Sequence, residues 1–221
     1  MKKYIDTGKK DTRSGFGAGL TELGKSNENV VALCADLIGS LKMNDFQNNH
    51  PERFYQVGIA EANMMGLAAG MALSGLRPIV YTITPFTTTR CFEQIRVDAC
   101  YQNVPIIIVG TGSGLSYAEL GPTHHSCEDL AILRVLPNMT VLAPADEVEL
   151  RQCMRAALKL NGPAYIRIGK KGEQIIPKPD VAFEVGRSIT IKQGSDVCLI
   201  GTGTIMPELL KAAEIMVSKG V

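Results

Sequence analysis

Short runs of apolar, β-favouring residues alternate along this chain with longer segments whose apolar positions return at helical spacing. The short runs are residues 30–33, 54–57, 78–82, 106–109, 140–143 and 165–168. Helical period predicts helices over 14–26, 61–74, 89–102 and 146–160. The last is the most sharply marked. Asp146 followed by Glu149 makes a capping-box-like start, and Leu150, Cys153, Met154, Ala157 and Leu158 fall on one face before Asn161-Gly162-Pro163 stops the helix. Strands that read as nearly continuous apolar runs belong to a parallel sheet covered on both faces. The expected fold is therefore α/β, a three-layer α/β/α sandwich with a mainly parallel sheet. Ligands in such folds collect outside the carboxyl ends of strands. The chemically unusual residues fall there: Asp36, Glu61, the stretch from Thr84 to Phe86, and the Gly-rich turn 110–114.

The first unit is expected to span residues 1–184. From Val185 onward the chain reads as one strand, a Gly-rich turn and one amphipathic helix. Such a pair cannot bury both of its faces, so 185–221 is expected to be the truncated start of a second α/β domain.

Composition narrows the function classes. With 23 basic and 22 acidic residues among 221, no basic cluster is dense enough for nucleic acid. The N-terminus lacks the apolar core of a signal peptide. The long uncharged run from Val57 to Leu76 contains four glycines, an asparagine and a glutamate, which fits a tightly packed helix better than a membrane span. Six cysteines are scattered singly without a C-x-x-C pair, so a reducing, cytoplasmic setting is expected. The histidines at 50, 124 and 125 show no metal-ligand spacing.

Glu61 is the only charge in the run 57–76. A carboxylate there must be paired, be held protonated, or meet a ligand; a helix N-terminus would also welcome it. The Gly-rich turns 110–114 and 201–204 lack phosphate-loop spacing and read as tight turns. The stretch ELGPTHHS, residues 119–126, sets two adjacent imidazoles after a Gly-Pro turn. Neighbouring side chains on an extended loop point apart, so only one of the two should face a given site.

Taken in order, DTRSGFGAGL, ALCADLIGS, YQVGIAEANMMGLAAGMALSGLRPIV, FTTTRCFEQIR, ELGPTHHS, LRVLPNMTVLAPADEVE and GPAYIRIGK resemble the transketolase family. The likeness is to the C-terminal half, in the forms split into two chains. It implies a pyrimidine-binding domain for thiamine diphosphate. Glu61 matches the acid that contacts the aminopyrimidine ring nitrogen and promotes formation of the reactive ylide. Phe86 matches the phenylalanine packed on that ring, with Arg90 and Phe92 as alternatives, and Asp36 matches an acid near the cofactor at the subunit interface. His124 matches the histidine facing the sugar hydroxyls. Arg13, Ser40 and Lys170 fall where relatives hold the substrate phosphate; most relatives carry arginine in place of Lys170.

Leu120 stands where relatives carry the aspartate that contacts the acceptor, and Gly112 stands where they carry a further phosphate-contacting histidine. Ordinary exchange between xylulose 5-phosphate and ribose 5-phosphate is therefore not expected to be the best reaction. The family's diphosphate and Mg²⁺ motif is absent, so those ligands are expected from an N-terminal partner subunit. The resemblance implies transfer of a two-carbon ketol unit from a ketose phosphate to an aldose acceptor, in a homodimer of this chain joined to that partner. Its rivals are a decarboxylating subunit of the 1-deoxyxylulose-5-phosphate synthase or 2-oxo-acid dehydrogenase type, and a non-catalytic assembly subunit.

Overall fold

The computed structural model describes residues 9–170, 172–177 and 182–221. In chain order its elements begin with β1 (Lys9–Lys10), α1 (Thr12–Ser26), β2 (Val30–Cys34), α2 (Asn44–Asn49), β3 (Phe54–Gln56), α3 (Glu61–Leu73) and β4 (Arg77–Ile83). Then follow α4 (Thr84–Thr87), α5 (Phe92–Gln94), β5 (Ile107–Thr111), α6 (Asp129–Arg134), β6 (Thr140–Leu142), α7 (Glu147–Ala157), β7 (Ala164–Ile168), β8 (Glu173–Gln174) and α8 (Met206–Ser218).

All six apolar runs become strands of one six-stranded sheet, ordered β3-β2-β4-β5-β7-β6. Every pairing in it is parallel. A small antiparallel ladder of β1 and β8 stands apart from it. Alternate strand residues feed two cores. On one side Ala32, Tyr81, Val109 and Ile166 pack with Phe16, Leu20, Phe46, Leu150 and Met154 from α1, α2 and α7. On the other, Leu33, Val80, Ile108 and Tyr165 pack with Met64, Met65, Ala68, Ile95 and Leu133. This is the three-layer sandwich that continuous apolar strands require, since neither sheet face can be left to water.

Two expectations are corrected. The helix expected over 89–102 forms without a break only from Phe92 to Tyr101, opening as α and continuing as π after a 3₁₀ turn at Thr89–Cys91. Pro85 and a run of threonines whose hydroxyls turn back onto the backbone (Thr88 Oγ1 to Thr84 O 2.7 Å, Thr89 Oγ1 to Pro85 O 2.9 Å) give the short turn α4, a 3₁₀ turn and α5. A π-helical segment, Ile95–Tyr101, then completes the crossover to β5. Hydroxyls that satisfy backbone carbonyls locally compete with the regular helical ladder. The strand expected near 196–201 is also absent: that segment is irregular and has no neighbouring strand to pair with among the described residues, although α8 follows as expected.

The cap of α7 forms as read. Asp146 is fully buried; its Oδ1 accepts from Glu149 N at 2.8 Å, and Oδ2 accepts from Ile176 N at the same distance. The side chain thus ties the segment after β7 to the helix start. Asp146→Ala is expected to cost about 1–3 kcal/mol, through loss of the cap and an unpaired buried N–H. Asp146→Asn, which keeps an acceptor for the cap, should cost less; thermal melting of both variants checks the order.

Candidate active site

The strand order reverses between β2 and β4, because the chain leaves β2 toward one edge of the sheet and leaves β4 toward the other. The loops diverge there and open a crevice, the usual ligand position in such sheets. Register brings the strand ends level: Cys34 pairs with Gln56 and Tyr81, Ile83 with Thr111, and Thr111 with Ile168. The candidate residues after these ends therefore lie along one edge.

Glu61 opens α3 and is 3% exposed. Its Oε1 accepts from Arg90 Nη1 at 2.7 Å. Of the fates open to a lone buried acid, the structure supplies pairing, with the helix N-terminus adding to it. The Arg90 guanidinium carbon also lies 3.8 Å from the centroid of the Phe86 ring. Phe86 meets the His124 ring edge-on at 5.1 Å, and His124 lies 5.7 Å from the Tyr117 ring. Lys170 Nζ stands 3.6 Å from the Tyr117 centroid. Glu61, Arg90, Phe86, His124, Tyr117 and Lys170 thus form one continuous row of contacts across the carboxyl ends of the sheet.

Among the three alternatives read from 86–92, Phe92 packs into the core on the α3 side, while Phe86 and Arg90 face the row. Only one imidazole of the pair joins it: His124 does, while His125 Nε2 lies 3.4 Å from Ala118 O. Arg13, on the first turn of α1, is held by Asp11 (Nη2 to Oδ2 2.6 Å) and donates from Nη1 to Ser40 O at 3.3 Å. Arg13 and Ser40 are therefore brought together, through the serine backbone. Asp36 keeps an exposed carboxylate and a left-handed φ of 55°. Its N–H donates to Gln56 Oε1 at 2.8 Å, and the same oxygen accepts from Gly58 N, so Gln56 pins the Asp36 loop to the segment leading into Glu61. Leu120 is 52% exposed on the loop beyond Tyr117.

Sequence reading missed Tyr117 and the clamp beneath its loop. The loop is closed at its base by the Gly114–Ser126 pair, with N···O distances of 2.8 and 2.9 Å. Below it the fully buried Asp129 accepts from Tyr165 OH at 2.7 Å and from Arg167 Nε at 2.9 Å. A Tyr just ahead of the ELGP turn is the only local hint of the first; nothing local announces the second, whose members lie 36 and 38 residues apart.

The residues fit an aminopyrimidine. A guanidinium is a flat cation, and here it bonds the Glu61 carboxylate while lying on the Phe86 face. A planar heterocycle whose ring nitrogen shares a proton with the carboxyl would meet the same two groups, the acid at its edge and the ring at its face. Among the described residues no cluster of three His, Cys, Asp or Glu side chains could hold a metal ion. A cleft of about 750 Å³ lies elsewhere, between α7 and residues 187–221, lined mainly by aliphatic side chains such as Ile176, Leu199, Ile200, Leu209 and Met216. None of the row's side chains lines it, so size alone does not make it the site.

Residues 8–172 match the family model for the transketolase pyrimidine-binding domain. The chain is 38% identical over 214 residues to a Methanocaldococcus jannaschii protein named as a transketolase C-terminal section, covering 96% of this chain and 68% of that one. It is 38% identical over 209 residues to the 1-deoxy-D-xylulose-5-phosphate synthase of Carboxydothermus hydrogenoformans, covering 93% of this chain and 33% of the synthase. Among solved structures it resembles a split-gene transketolase described as an inactive beta4 tetramer, with a TM-score of 0.88, 40% identity, and 97% and 70% of the two chains covered.

Proposed function

We propose, on the premise that this chain belongs to the transketolase family, that it is the C-terminal, pyrimidine-binding subunit of a split enzyme dependent on thiamine diphosphate. The reaction is transfer of a two-carbon ketol unit from a ketose phosphate to an aldose acceptor. The observation that carries this reading is the shared hold of Glu61 and Phe86 on one flat cation, at the crevice where the sheet order reverses.

The chemistry supplied by the bound cofactor is a nucleophilic thiazolium carbon able to add to a carbonyl. Glu61 holds and exchanges the proton at the pyrimidine ring nitrogen, Phe86 offers its face to the ring, and Asp36 borders the partner-facing rim. Arg90 withdraws from Glu61 and Phe86 to admit the ring; its side chain is 43% exposed, so solvent receives its charge at low cost. His124 hydrogen-bonds a sugar hydroxyl, and Arg13, Ser40 and Lys170 hold the substrate phosphate.

Mg²⁺, which needs hard oxygen ligands at defined spacing, and with it the diphosphate that would supply some of them, would be held by the N-terminal partner subunit. Association through the α3 side is supported by apolar side chains exposed along it, from Ile59 next to Glu61 through Leu67 to Leu73 at the far end of the helix, among small residues suited to another copy of this chain. The six scattered thiols support a cytoplasmic setting.

The purified chain alone is expected to show no ketol transfer, and the complex with a diphosphate-binding subunit to show it with xylulose 5-phosphate as donor. Turnover by the single chain overturns the split-subunit reading. Release of CO₂ from pyruvate by the complex, without transfer from ketose phosphates, would assign it to the decarboxylating relatives instead.

A further inference from the structure

We propose that Tyr117 is a positioning residue for the anion-holding end of the site: its ring face fixes Lys170 over the substrate's terminal phosphate, and the same ring packs at a tilt against His124. This inference rests on the ketol-transfer reading above and names the group that selects phosphorylated sugars.

The geometry begins at Gly112. Beyond the strand ends, Ser113 N donates to Ile168 O at 3.3 Å, and Thr111 Oγ1 donates to Gly169 O at 2.9 Å. These bonds lace the exits of β5 and β7 together and bring Lys170 beside the turn 112–114. Gly112 has φ +74°, and a Cβ built on it would fall 1.9 Å from Tyr117 Cε2. The space that any larger residue at 112 would claim is filled by the tyrosine ring. The ring is therefore fixed from below by bare backbone. It is 8% exposed, and it touches Lys170 and His124 within the same row.

An ammonium at 3.6 Å from a ring centroid is attracted by the ring quadrupole, an interaction that orders a flexible lysine stem. Burial raises the Tyr117 pKa and the nearby Arg13 charge opposes it; the phenol stays neutral and adds no repulsion toward an anion. A lysine is a point charge without the fork of an arginine. Fixing it on an aromatic face recovers direction that the guanidinium would have had by itself. The same ring, filling the place of the histidine that Gly112 displaces, leaves His124 as the imidazole that faces the sugar.

The test compares Tyr117→Leu and Tyr117→Phe in the complex with the diphosphate-binding subunit. The readout is the ratio of kcat/KM for xylulose 5-phosphate to that for xylulose. Tyr117→Leu is expected to lower this ratio roughly 2- to 30-fold, the range of a cation–π contact, through KM for the phosphorylated ketose. Tyr117→Phe should restore it. An unchanged ratio in the leucine variant, or an equal loss in the phenylalanine variant, overturns the proposal.

A second measurement does not depend on turnover. In the full chain with ¹³C-dimethylated lysines, the Lys170 signal, identified by its loss in Lys170→Arg, should be ring-shifted and should move with inorganic phosphate. Both effects should vanish in Tyr117→Leu and persist in Tyr117→Phe. A Lys170 signal without ring shift in the unaltered chain refutes the placement. A ring-shifted, phosphate-responsive signal in a complex that transfers no ketol unit leaves the anion site standing and removes the reaction assigned to it.

Discussion

Glu61→Gln, in the assembled enzyme, is expected to slow C2-proton exchange of bound thiamine diphosphate by about 10²–10⁴-fold while leaving the fold intact. Both halves of the expectation come from the setting of the side chain. Glu61 begins α3 and is nearly fully buried, so its size matters; glutamine keeps that size. Before the cofactor enters, the amide oxygen can still accept from Arg90 Nη1, and Arg90 is exposed enough for water to screen its charge once the carboxylate is gone. What glutamine cannot do is give and take a proton at a ring nitrogen. Proton exchange measured by NMR in the reconstituted complex separates this chemical loss from a structural one, and unchanged circular dichroism and thermal midpoint are the companion result. An exchange rate equal to that of the unaltered enzyme removes Glu61 from the proposed role.

The largest effect on stability is expected from Asp129→Ala. Asp129 is fully buried and takes hydrogen bonds from Tyr165, which is also fully buried, and from Arg167, whose side chain is 17% exposed. Removing one member of a buried ion pair leaves the other charge without compensation, at about 3–5 kcal/mol. For a chain of this size each kcal/mol lowers the thermal midpoint by about 2–4 °C, so a fall of roughly 6–20 °C is expected. Arg167 Nη2 also donates to Ser126 O at 3.4 Å, and Ser126 closes the loop that carries Tyr117 and His124. The Gly114 and Ser126 amides should therefore exchange faster with solvent in the variant. Tyr165→Phe, which removes a donor and leaves the ion pair, should cost only about 1 kcal/mol. A loss below that for Asp129→Ala would show that the buried cluster does not hold the loop.

Strands β2, β4, β5 and β7 were legible because burial on both faces leaves nearly uninterrupted apolar runs, and the half-buried edge strands β3 and β6 through their β-favouring residues. Helix α7 was legible because a cap and a one-sided apolar stripe are also local. The segment 89–102 is helical from Phe92 to Tyr101 as its apolar spacing indicates, whereas Pro85 and the threonine hydroxyls upstream delay the start. Residues 196–201 have the composition of a strand, but a ladder also needs a neighbour.

At the site, the sequence by itself singled out Glu61, since one charge in twenty apolar or small residues demands a partner, and it set Asp36 and Phe86 after strand ends, while His124 and Lys170 came from the family resemblance. It left the partner of Glu61 open. Arg90 lies 29 residues on, and only the approach of α3 to the turn after β4 decides that the two meet. The strand order that reverses between β2 and β4, the row of ring contacts that His124 joins, and the ring of Tyr117 seated on Gly112 were decided in the same way. Backbone propensity and burial act between residues close in the chain and leave their mark in its pattern. Ion pairs, ring contacts and crevices form between segments whose spacing in the sequence is arbitrary, so only the packed tertiary structure determines them.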